Sequence, residues 1–211
     1  TPSMPGSTRS YEFAKRLVAR GDTVHMVTTN WQGKSKLSFT NESGINVYWA
    51  PIPYANKMNF LERISAYLGY VWFTFIIGHK LNYDLIIASS TPLTVAIPAL
   101  WLKRVKRAKM IFEVRDLWPQ LPIAIGALKS PIMIKIAQFL EKKAYAGSEK
   151  VIALSIGMNS VLKERVPSNK ISVVTNLSDR KNFNVSDQKG INFRKNYPGI
   201  SNHPLIVYTG A

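Results

Sequence analysis

The chain has 211 residues, which is enough for one full domain or for one domain and the start of another. Its apolar content of 46% is that of a globular protein and excludes a disordered chain. Because the sequence contains no cysteine, a disulfide framework and a thiolate metal site are both excluded. The formal charge of +16 predicts an anionic partner, which could be nucleic acid, anionic lipid or a phosphorylated substrate.

The chain begins with a loop that leads directly into a predicted helix. Residues 1–6 are rich in Pro and Gly, and apolar residues then recur at helical spacing from Tyr11 to Arg20, with Gly21 as the stop. Such a loop gathers backbone N–H groups and the positive end of the helix dipole, which suits a phosphate. An ordinary tight turn is the alternative. Behind this helix the sequence predicts strands at 23–28 and 47–50, with a polar surface loop at 31–46.

The longest predicted helix begins at Asn59 and runs towards Lys80. Asn59 and Glu62 form the capping-box pattern, in which an acid stands three positions after the N-cap. The apolar segment 66–78 is shorter than the ~20 residues that a bilayer span needs, so we favour a helix buried in the core. The alternative is a helix lying on a membrane with aromatic rings at the interface. Those rings belong to Tyr67, Tyr70, Trp72 and Phe75.

A strand at 84–89 is followed by Thr91-Pro92, a strong helix start with Thr as N-cap and Pro at the first helical position. Ser89, Ser90 and Thr91 would therefore lie at a strand end that faces a cleft, or they would only cap the helix. The helix ends in five cations within the seven residues 103–109, next to Trp101. This cluster is either a solvated face or a membrane-facing one attracted to anionic headgroups. The residues expected to face the membrane are Trp101, Lys103, Arg104, Lys106 and Arg107.

The segment 110–122, MIFEVRDLWPQLP, predicts a buried strand that ends in charged and turn-forming residues. In an open α/β sheet ligands bind outside the carboxyl ends of the strands, so Glu113, Arg115 and Asp116 would lie at the rim of a cleft. The alternative is structural: Asp116 caps a turn and Arg115 pairs with a neighbour.

Strands and helices alternate to the end of the chain. Ser130-Pro131 opens another helix that stops at Gly147, and Ser155 caps a further one. The remaining predicted elements are strands at 150–154, 171–174 and 205–209 and a short helix at 192–197. This alternation predicts an α/β fold, a Rossmann-like parallel sheet with helices on both faces. The polar segment 176–189 predicts a boundary between a domain at 1–176 and a linker with the start of a second domain at 177–211.

Several motifs are absent. The sequence contains no G-x-G-x-x-G after a strand, no G-x-x-x-x-G-K-[ST] loop and no G-x-S-x-G elbow. His25, His79 and His203 offer no ligand pattern, so no metal site is predicted.

Four segments together resemble one family. VRDLWPQLP is similar to the segment after the middle strand of the N-terminal domain in group 4 glycosyltransferases of the GT-B fold. PGSTRSYEFAKRLVARG, VVTNLSD and LIVYTGA agree with that family in the same order. The likeness is closest to the branch that builds O-antigen and capsule sugars, including the fucosamine transferases. A strand normally precedes the Pro-Gly-Ser loop in this family, so the sequence is expected to lack its front.

The resemblance implies the N-terminal, acceptor-side half of a GT-B enzyme that moves a hexose or amino sugar from a nucleotide diphosphate. Asp116 would orient or deprotonate the acceptor hydroxyl, with Arg115 beside it as a second catalytic residue. Acceptor and phosphate binding would fall to Gly6, Ser7, Arg9, Ser89, Ser90, Glu113 and Trp118. Donor binding would fall to Asn176 and Gly210.

The resemblance also implies a retaining reaction that needs neither a metal nor another cofactor. The absence of Asp-x-Asp counts against the metal-dependent type of sugar transferase. The acceptor would be a polyprenyl-diphosphate-linked saccharide, and the protein would be cytoplasmic and peripheral at the inner face of a bacterial plasma membrane. The chain alone would be inactive.

The competing hypothesis is a non-enzymatic basic α/β module that binds anionic lipid or nucleic acid. RNA-binding modules usually expose aromatic side chains on a sheet for base stacking, which makes nucleic acid the poorer partner.

Overall fold

The structure is a computed structural model that describes residues 9–30, 36–55, 57–176, 186–200 and 204–206. The chain divides into two compact units, Thr1–Thr175 and Asn176–Ala211.

The first unit contains all the described strands and six of the described helices. The strands are β1 (His25–Thr29), β2 (Ser38–Glu42), β3 (Ile45–Ala50), β4 (Leu85–Ser89), β5 (Lys109–Val114), β6 (Lys150–Ala153) and β7 (Ile171–Val173). The helices are α1 (Arg9–Ala19), α2 (Phe60–Lys80), α3 (Ala96–Lys106), α4 (Gln120–Ala124), α5 (Pro131–Gly147) and α6 (Ile156–Leu162). Single 3-10 turns lie at Leu93–Val95 and Ser168–Lys170.

The strands form two sheets. Sheet A has the order β1-β3-β2, with β1 parallel and β2 antiparallel to β3. Sheet B has the order β4-β5-β6-β7 and is parallel throughout. Among the described residues, β1 and β4 each pair with a strand on one side only. The predicted α/β fold is confirmed, and its parallel part is sheet B.

Helices cover both faces of sheet A because the side chains of β3 alternate. Ile45, Val47 and Trp49 share one face and pack with Tyr11 and Ala14 of α1. Ala50 faces the other way and packs with Ala66 of α2. Sheet B has the larger core, where Met110, Phe112 and Val114 of β5 pack with Ala144 and Tyr145 of α5.

The structure confirms the side-chain caps that the sequence predicts at Asn59 and Ser155. The Asn59 side chain accepts from the Glu62 backbone at 2.9 Å, and the Glu62 carboxylate accepts from the Asn59 backbone at 2.8 Å. Ser155 caps α6 by accepting from Met158 at 3.1 Å. Gly21 follows the end of α1 with φ of 95°, the left-handed conformation expected of a C-terminal glycine.

The prediction of a loop over residues 31–46 was wrong for its second half, where β2 and β3 form a hairpin. Ser43 and Gly44 have φ of 53° and 83°, the left-handed pair of a two-residue hairpin turn. The strand was missed because β2 is polar and lies at the edge of sheet A. One polar group on it has a structural role: the Thr40 hydroxyl accepts from the Trp49 indole at 2.7 Å.

Two further predictions need correction. Thr91 does not cap a helix, because Pro92 occupies the N-cap of the 3-10 turn that follows and no side-chain cap bond forms there. The helix α2 is not buried on all sides. Ala66, Val71 and Ile77 are buried, whereas Leu68 and Trp72 are exposed. Because α2 is apolar on both its buried face and its exposed face, the spacing of its apolar residues could not show which face is buried.

The second unit contains α7 (Asp187–Lys195), close to the helix predicted at 192–197, and a 3-10 turn at Pro198–Ile200. The predicted strand at 205–209 lies mostly outside the described residues, and residues 204–206 are not in a strand.

Candidate functional site

The polar residues at the carboxyl ends of β4 and β5 meet at one edge of sheet B. The two strands are parallel and Ser89 stands opposite Glu113. Beyond the strands the two chains remain joined: the Ser90 N–H donates to the Glu113 carbonyl at 2.8 Å, and the Arg115 N–H donates to the Ser90 hydroxyl at 3.0 Å. Ser90 is only 2% exposed. Ser90 therefore holds the turn after β5 against the end of β4, and the acceptor-binding role predicted for it stays a prediction.

Glu113 is a buried carboxylate whose two oxygens are both bound. Arg9 Nε donates to Oε1 at 2.8 Å and the Ser89 hydroxyl donates to Oε2 at 2.5 Å. The exposed fractions of the Arg9 and Glu113 side chains are 9% and 2%. A buried charge is tolerated when it is paired and hydrogen-bonded, as here.

Arg9 also reaches the end of β7. Its Nη2 donates to the Val174 carbonyl at 2.8 Å and its Nη1 donates to the Thr175 carbonyl at 3.0 Å. The guanidinium carbon lies 4.6 Å from the centre of the Phe13 ring. Arg9 thus joins the first turn of α1 to the ends of β5 and β7. These contacts fit a positioning role for Arg9 and Glu113, and the ligand-binding roles predicted for them stay predictions.

Asp116 and Arg115 form the open part of the site. The Thr91 hydroxyl donates to Asp116 Oδ2 at 2.7 Å. The Asp116 carbonyl accepts from the Trp118 N–H at 2.9 Å, which closes the turn. Both Arg115 and Asp116 are half-buried. Within the described part of the chain, the Arg115 guanidinium has no hydrogen bond or ion pair. Arg115 and Asp116 are neighbours in the chain at this strand end, and the Asp116 carboxylate is held by the Thr91 hydroxyl.

Trp118 lies in the turn after β5, and the acceptor-binding role predicted for it stays a prediction. It is half-buried and packs with Leu117 against the core of sheet B. It anchors the turn that carries Arg115 and Asp116.

Other predicted site residues lie elsewhere or outside the described residues. Gly6, Ser7 and Gly210 fall outside them, so their roles stay predictions. Arg9, two positions after Ser7, does contact the strand end that precedes Asp116. Asn176 is exposed and is the first residue of the second unit.

The basic cluster at the end of α3 is only partly directed at solvent. Lys103 Nζ donates to the Gly147 carbonyl at 2.5 Å, at the C-terminus of α5, and lies 3.8 Å from the Glu149 carboxylate. Arg104 and Arg107 are exposed and Lys106 is half-buried. Trp101 is exposed on one side and packs edge-on against Phe75, with 5.1 Å between ring centres. Lys103 is thus a structural residue of this cluster.

The sequence placed Thr91 at this strand end but did not predict its hydrogen bond to Asp116. A hydroxyl before a proline is a typical helix start, and nothing in the local sequence shows that its partner is 25 positions further along. Across the described residues, no group of three or more His, Asp or Glu side chains is arranged to hold a metal ion.

Solved structures with a similar fold include two of sucrose-phosphate synthase. Sucrose-phosphate synthase from Thermosynechococcus elongatus matches with a TM-score of 0.60 at 12% identity, over 86% of this chain and 48% of the synthase. A second structure of the same synthase matches with a TM-score of 0.59 at 11% identity, over 90% of this chain and 94% of that one. HepE of Anabaena in complex with UDP and glucose matches with a TM-score of 0.47 at 16% identity, over 76% of this chain and 39% of HepE.

Residues 6–176 match the glycosyl transferase 4-like domain. The chain therefore belongs to the glycosyl transferase 4-like family. It spans about half the length of the first synthase structure, 48%. No curated protein is significantly similar to it in sequence. The predicted GT-B relationship is confirmed at this level, whereas the fucosamine-transferase branch stays a prediction.

Proposed function

We propose that this chain is the acceptor-side domain of a glycosyltransferase. The enzyme moves a hexose or amino sugar from a nucleotide diphosphate to a saccharide carried on polyprenyl diphosphate, in the assembly of a bacterial surface polysaccharide. Membership of the glycosyl transferase 4-like family supports the reaction class. The observation that carries the proposal is the carboxylate of Asp116, which the Thr91 hydroxyl holds at the carboxyl edge of a parallel sheet, with Arg115 next to it in the chain.

The two groups match the charges of sugar transfer. A bond forms between the acceptor oxygen and the anomeric carbon, the bond from that carbon to the diphosphate oxygen breaks, and the acceptor hydroxyl loses its proton. Asp116 orients the hydroxyl or accepts that proton. Arg115 neutralises a phosphate of the acceptor or the donor. Thr91 keeps Asp116 in position, and the Arg9–Glu113 pair holds the strand ends beneath both groups.

The donor would bind mainly to a second domain; Asn176 and Gly210 stay the predicted donor-binding residues, and Gly6 and Ser7 stay predicted phosphate-binding residues. Backbone donors and guanidinium groups would stabilise the leaving diphosphate. A retaining, metal-independent reaction is proposed from the family resemblance alone. The acceptor lipid places the enzyme at the inner face of the plasma membrane. The charge of +16 supports attraction to that anionic surface.

The test is sugar transfer by the full-length protein carrying Asp116→Asn. Removing a general base or an orienting carboxylate is expected to lower kcat by roughly 10²–10⁴-fold. Transfer would be measured from a panel of radiolabelled nucleotide-sugars to lipid-linked saccharide. Asp84→Asn is the matched control, because Asp84 is an exposed aspartate at the opposite, amino end of β4. Undiminished turnover of the Asp116 variant would remove this residue from the mechanism.

A further inference from the structure

Three helices of the first unit pack side by side as one layer. α3 contacts α2 on one side and α5 on the other, and it lies on β4 and β5. The close approach depends on two glycines. A Cβ on Gly78 of α2 would lie 2.5 Å from Leu102 of α3, and one on Gly147 of α5 would collide with Leu100. The solvent side of this layer is therefore a single surface made by α2, α3 and α5.

This surface exposes large apolar side chains in helical register. On α2 Trp72 is 64% exposed and Ile76 follows four positions on; on α5 Ile132 is 71% and Phe139 62% exposed, with Ile136 between them. Trp101 of α3 packs against Phe75 and His79 and so connects the α3 part of the surface to α2. The solvent face of a helix in a globular protein is ordinarily polar, so an apolar face of this size indicates a binding surface.

The ionisable residues of the same surface are cations. They are Arg104, Arg107, Lys135, Lys142 and Lys143, all exposed. The three helices contain only two acids. Glu62 belongs to the capping box in the first turn of α2, and Glu141 is buried with Arg165 and Tyr145 as its partners. We call this surface the apolar–cationic face. It comprises these five cations and six apolar residues: Trp72, Ile76, Trp101, Ile132, Ile136 and Phe139.

The charge of the face decides between its possible occupants. A second copy of the chain would bring like charges together, which is unfavourable. An anionic bilayer satisfies both components, because cations attract the headgroups and apolar side chains enter the headgroup–acyl boundary. Tryptophan is the side chain most typical of that boundary. None of the described helices combines the length and hydropathy of a bilayer span, so contact would be interfacial.

We propose that the apolar–cationic face lies on an anionic lipid bilayer. The inference rests on the proposed function, in which the acceptor is anchored in a membrane. It identifies the surface through which the enzyme would contact that membrane. α4 begins four residues after Asp116 and α5 follows it, so the segment that leaves the site continues directly into this face. The acceptor lipid could then stay in the bilayer while its saccharide reaches the strand ends.

The experiment measures binding of the full-length protein to sedimenting vesicles of phosphatidylglycerol and phosphatidylcholine in equal parts, without any sugar donor. The variant K135Q/K142Q/K143Q is expected to lose more than tenfold in affinity, since each cation near an anionic surface contributes about fivefold. The variant W72S/F139S, which removes two exposed rings, is expected to lose binding as well. Both effects should shrink on pure phosphatidylcholine.

The matched control is K15Q/K36Q/K163Q, which removes the same charge from exposed positions outside the face and should bind as the unaltered protein does. Equal binding by the control and the face variants would overturn the inference, as would no binding of the unaltered protein. A change of oligomeric state in the face variants, seen by sedimentation, would assign the face to a second copy instead. A lower free energy of unfolding of W72S/F139S would also overturn the inference, because it would show that the two rings pack against another part of the chain.

The outcome is separable from that of the proposed function. Vesicle binding through the face without any sugar transfer would contradict the reaction and leave the membrane surface standing. Transfer to a detergent-dispersed acceptor without vesicle binding would contradict the membrane surface and leave the reaction standing.

Discussion

The hydroxyl of Thr91 determines the position of the carboxylate that we propose as catalytic. It donates to Asp116 Oδ2 at 2.7 Å from the neighbouring strand end, and a hydrogen bond to a charged acceptor is among the stronger ones in proteins. Asp116 is otherwise at the open edge of the site, where its side chain would have several rotamers. Thr91 is therefore a positioning residue, since it acts on the acceptor through Asp116.

Replacing Thr91 by valine is expected to lower kcat about tenfold, which corresponds to the ~1.4 kcal/mol of one hydrogen bond to a charged group. Valine keeps the shape of threonine, so the free energy of unfolding should change little at this exposed position. Steady-state kinetics with the acceptor and the donor varied in turn would show the loss in kcat and not in donor KM. Thr91→Ser, which restores the hydroxyl, should recover most of the rate; a serine variant as slow as the valine variant would refute the positioning role.

The sequence identified the polar residues of this site but not which of them are accessible. The strand pattern around Glu113 and the turn residues after it predicted that Arg115 and Asp116 reach the sheet edge. It could not show that Ser90 and Glu113 are buried, because their partners are set by tertiary packing. Arg9 and Glu113, for example, are 104 positions apart in the chain. A hydroxyl or a carboxylate at a strand end has the same sequence signature whether it binds a ligand or a neighbouring strand.

At the scale of elements, the Arg9 guanidinium connects three parts of the first unit. It bonds to Glu113 at the end of β5 and to the carbonyls of Val174 and Thr175 just after β7, while its own backbone begins α1. α1 packs on sheet A, and β5 and β7 belong to sheet B. The pair therefore links the two sheets at the edge where the site lies.

Arg9→Met is expected to lower the free energy of unfolding by about 3–5 kcal/mol, because it leaves the Glu113 carboxylate buried without its counter-charge. Urea titration of the full-length protein would measure this. The double variant R9M/E113M should be less destabilised than the sum of the two single variants, since it buries no unpaired charge. Strictly additive costs would show that the pair is not coupled.

Arg16→Met provides the matched control on the same helix. Arg16 pairs with Glu12 at 2.6 Å, but the two side chains are 65% and 33% exposed. An exposed pair of this kind contributes less than about 1 kcal/mol, so the control should unfold nearly as the unaltered protein does.

Elements with strong local signals were predictable and those without them were not. The capping box at Asn59 and the cap at Ser155 form as the sequence indicates, because such bonds lie within four residues. The edge strand β2 has a polar sequence, and its only local signal was the Ser43-Gly44 turn. In α2 the core covers only some of the apolar residues. Trp72 and Ile76 stay exposed and belong to the apolar–cationic face.

For the whole molecule, the charge of +16 predicted an anionic partner without locating the contact. The densest run of cations in the sequence, at the end of α3, is only partly available, because Lys103 is turned towards the C-terminus of α5. The lysines of α5 are more dispersed in sequence and yet share one surface with exposed isoleucine and phenylalanine side chains. Helical packing, which sets this arrangement, is not visible in a charge count.

The partly buried Tyr70 and the buried Tyr145 make the stability of the first unit sensitive to alkaline pH. Burial raises the pKa of Tyr70 above its ordinary value of 10.0. Burial and the adjacent Glu141 carboxylate raise the pKa of Tyr145 far above the same value. In the unfolded chain both phenols ionise near pH 10, whereas in the folded chain they keep their protons. The unfolded state therefore binds fewer protons above that pH, and folding stability falls as the pH rises.

Each of these two tyrosines is expected to lower the free energy of unfolding by about 1.4 kcal/mol per pH unit once the pH exceeds the unfolded value. Urea titrations from neutral pH to about pH 11 would measure the slope. Tyr145→Phe should reduce stability at neutral pH, since it removes the 3.1 Å hydrogen bond to Glu141, and should make the alkaline slope shallower. The exposed Tyr197, replaced by phenylalanine, is the control that should leave the slope unchanged. An alkaline slope that is equally steep with and without the Tyr145 phenol would show that its proton is not held by the folded state.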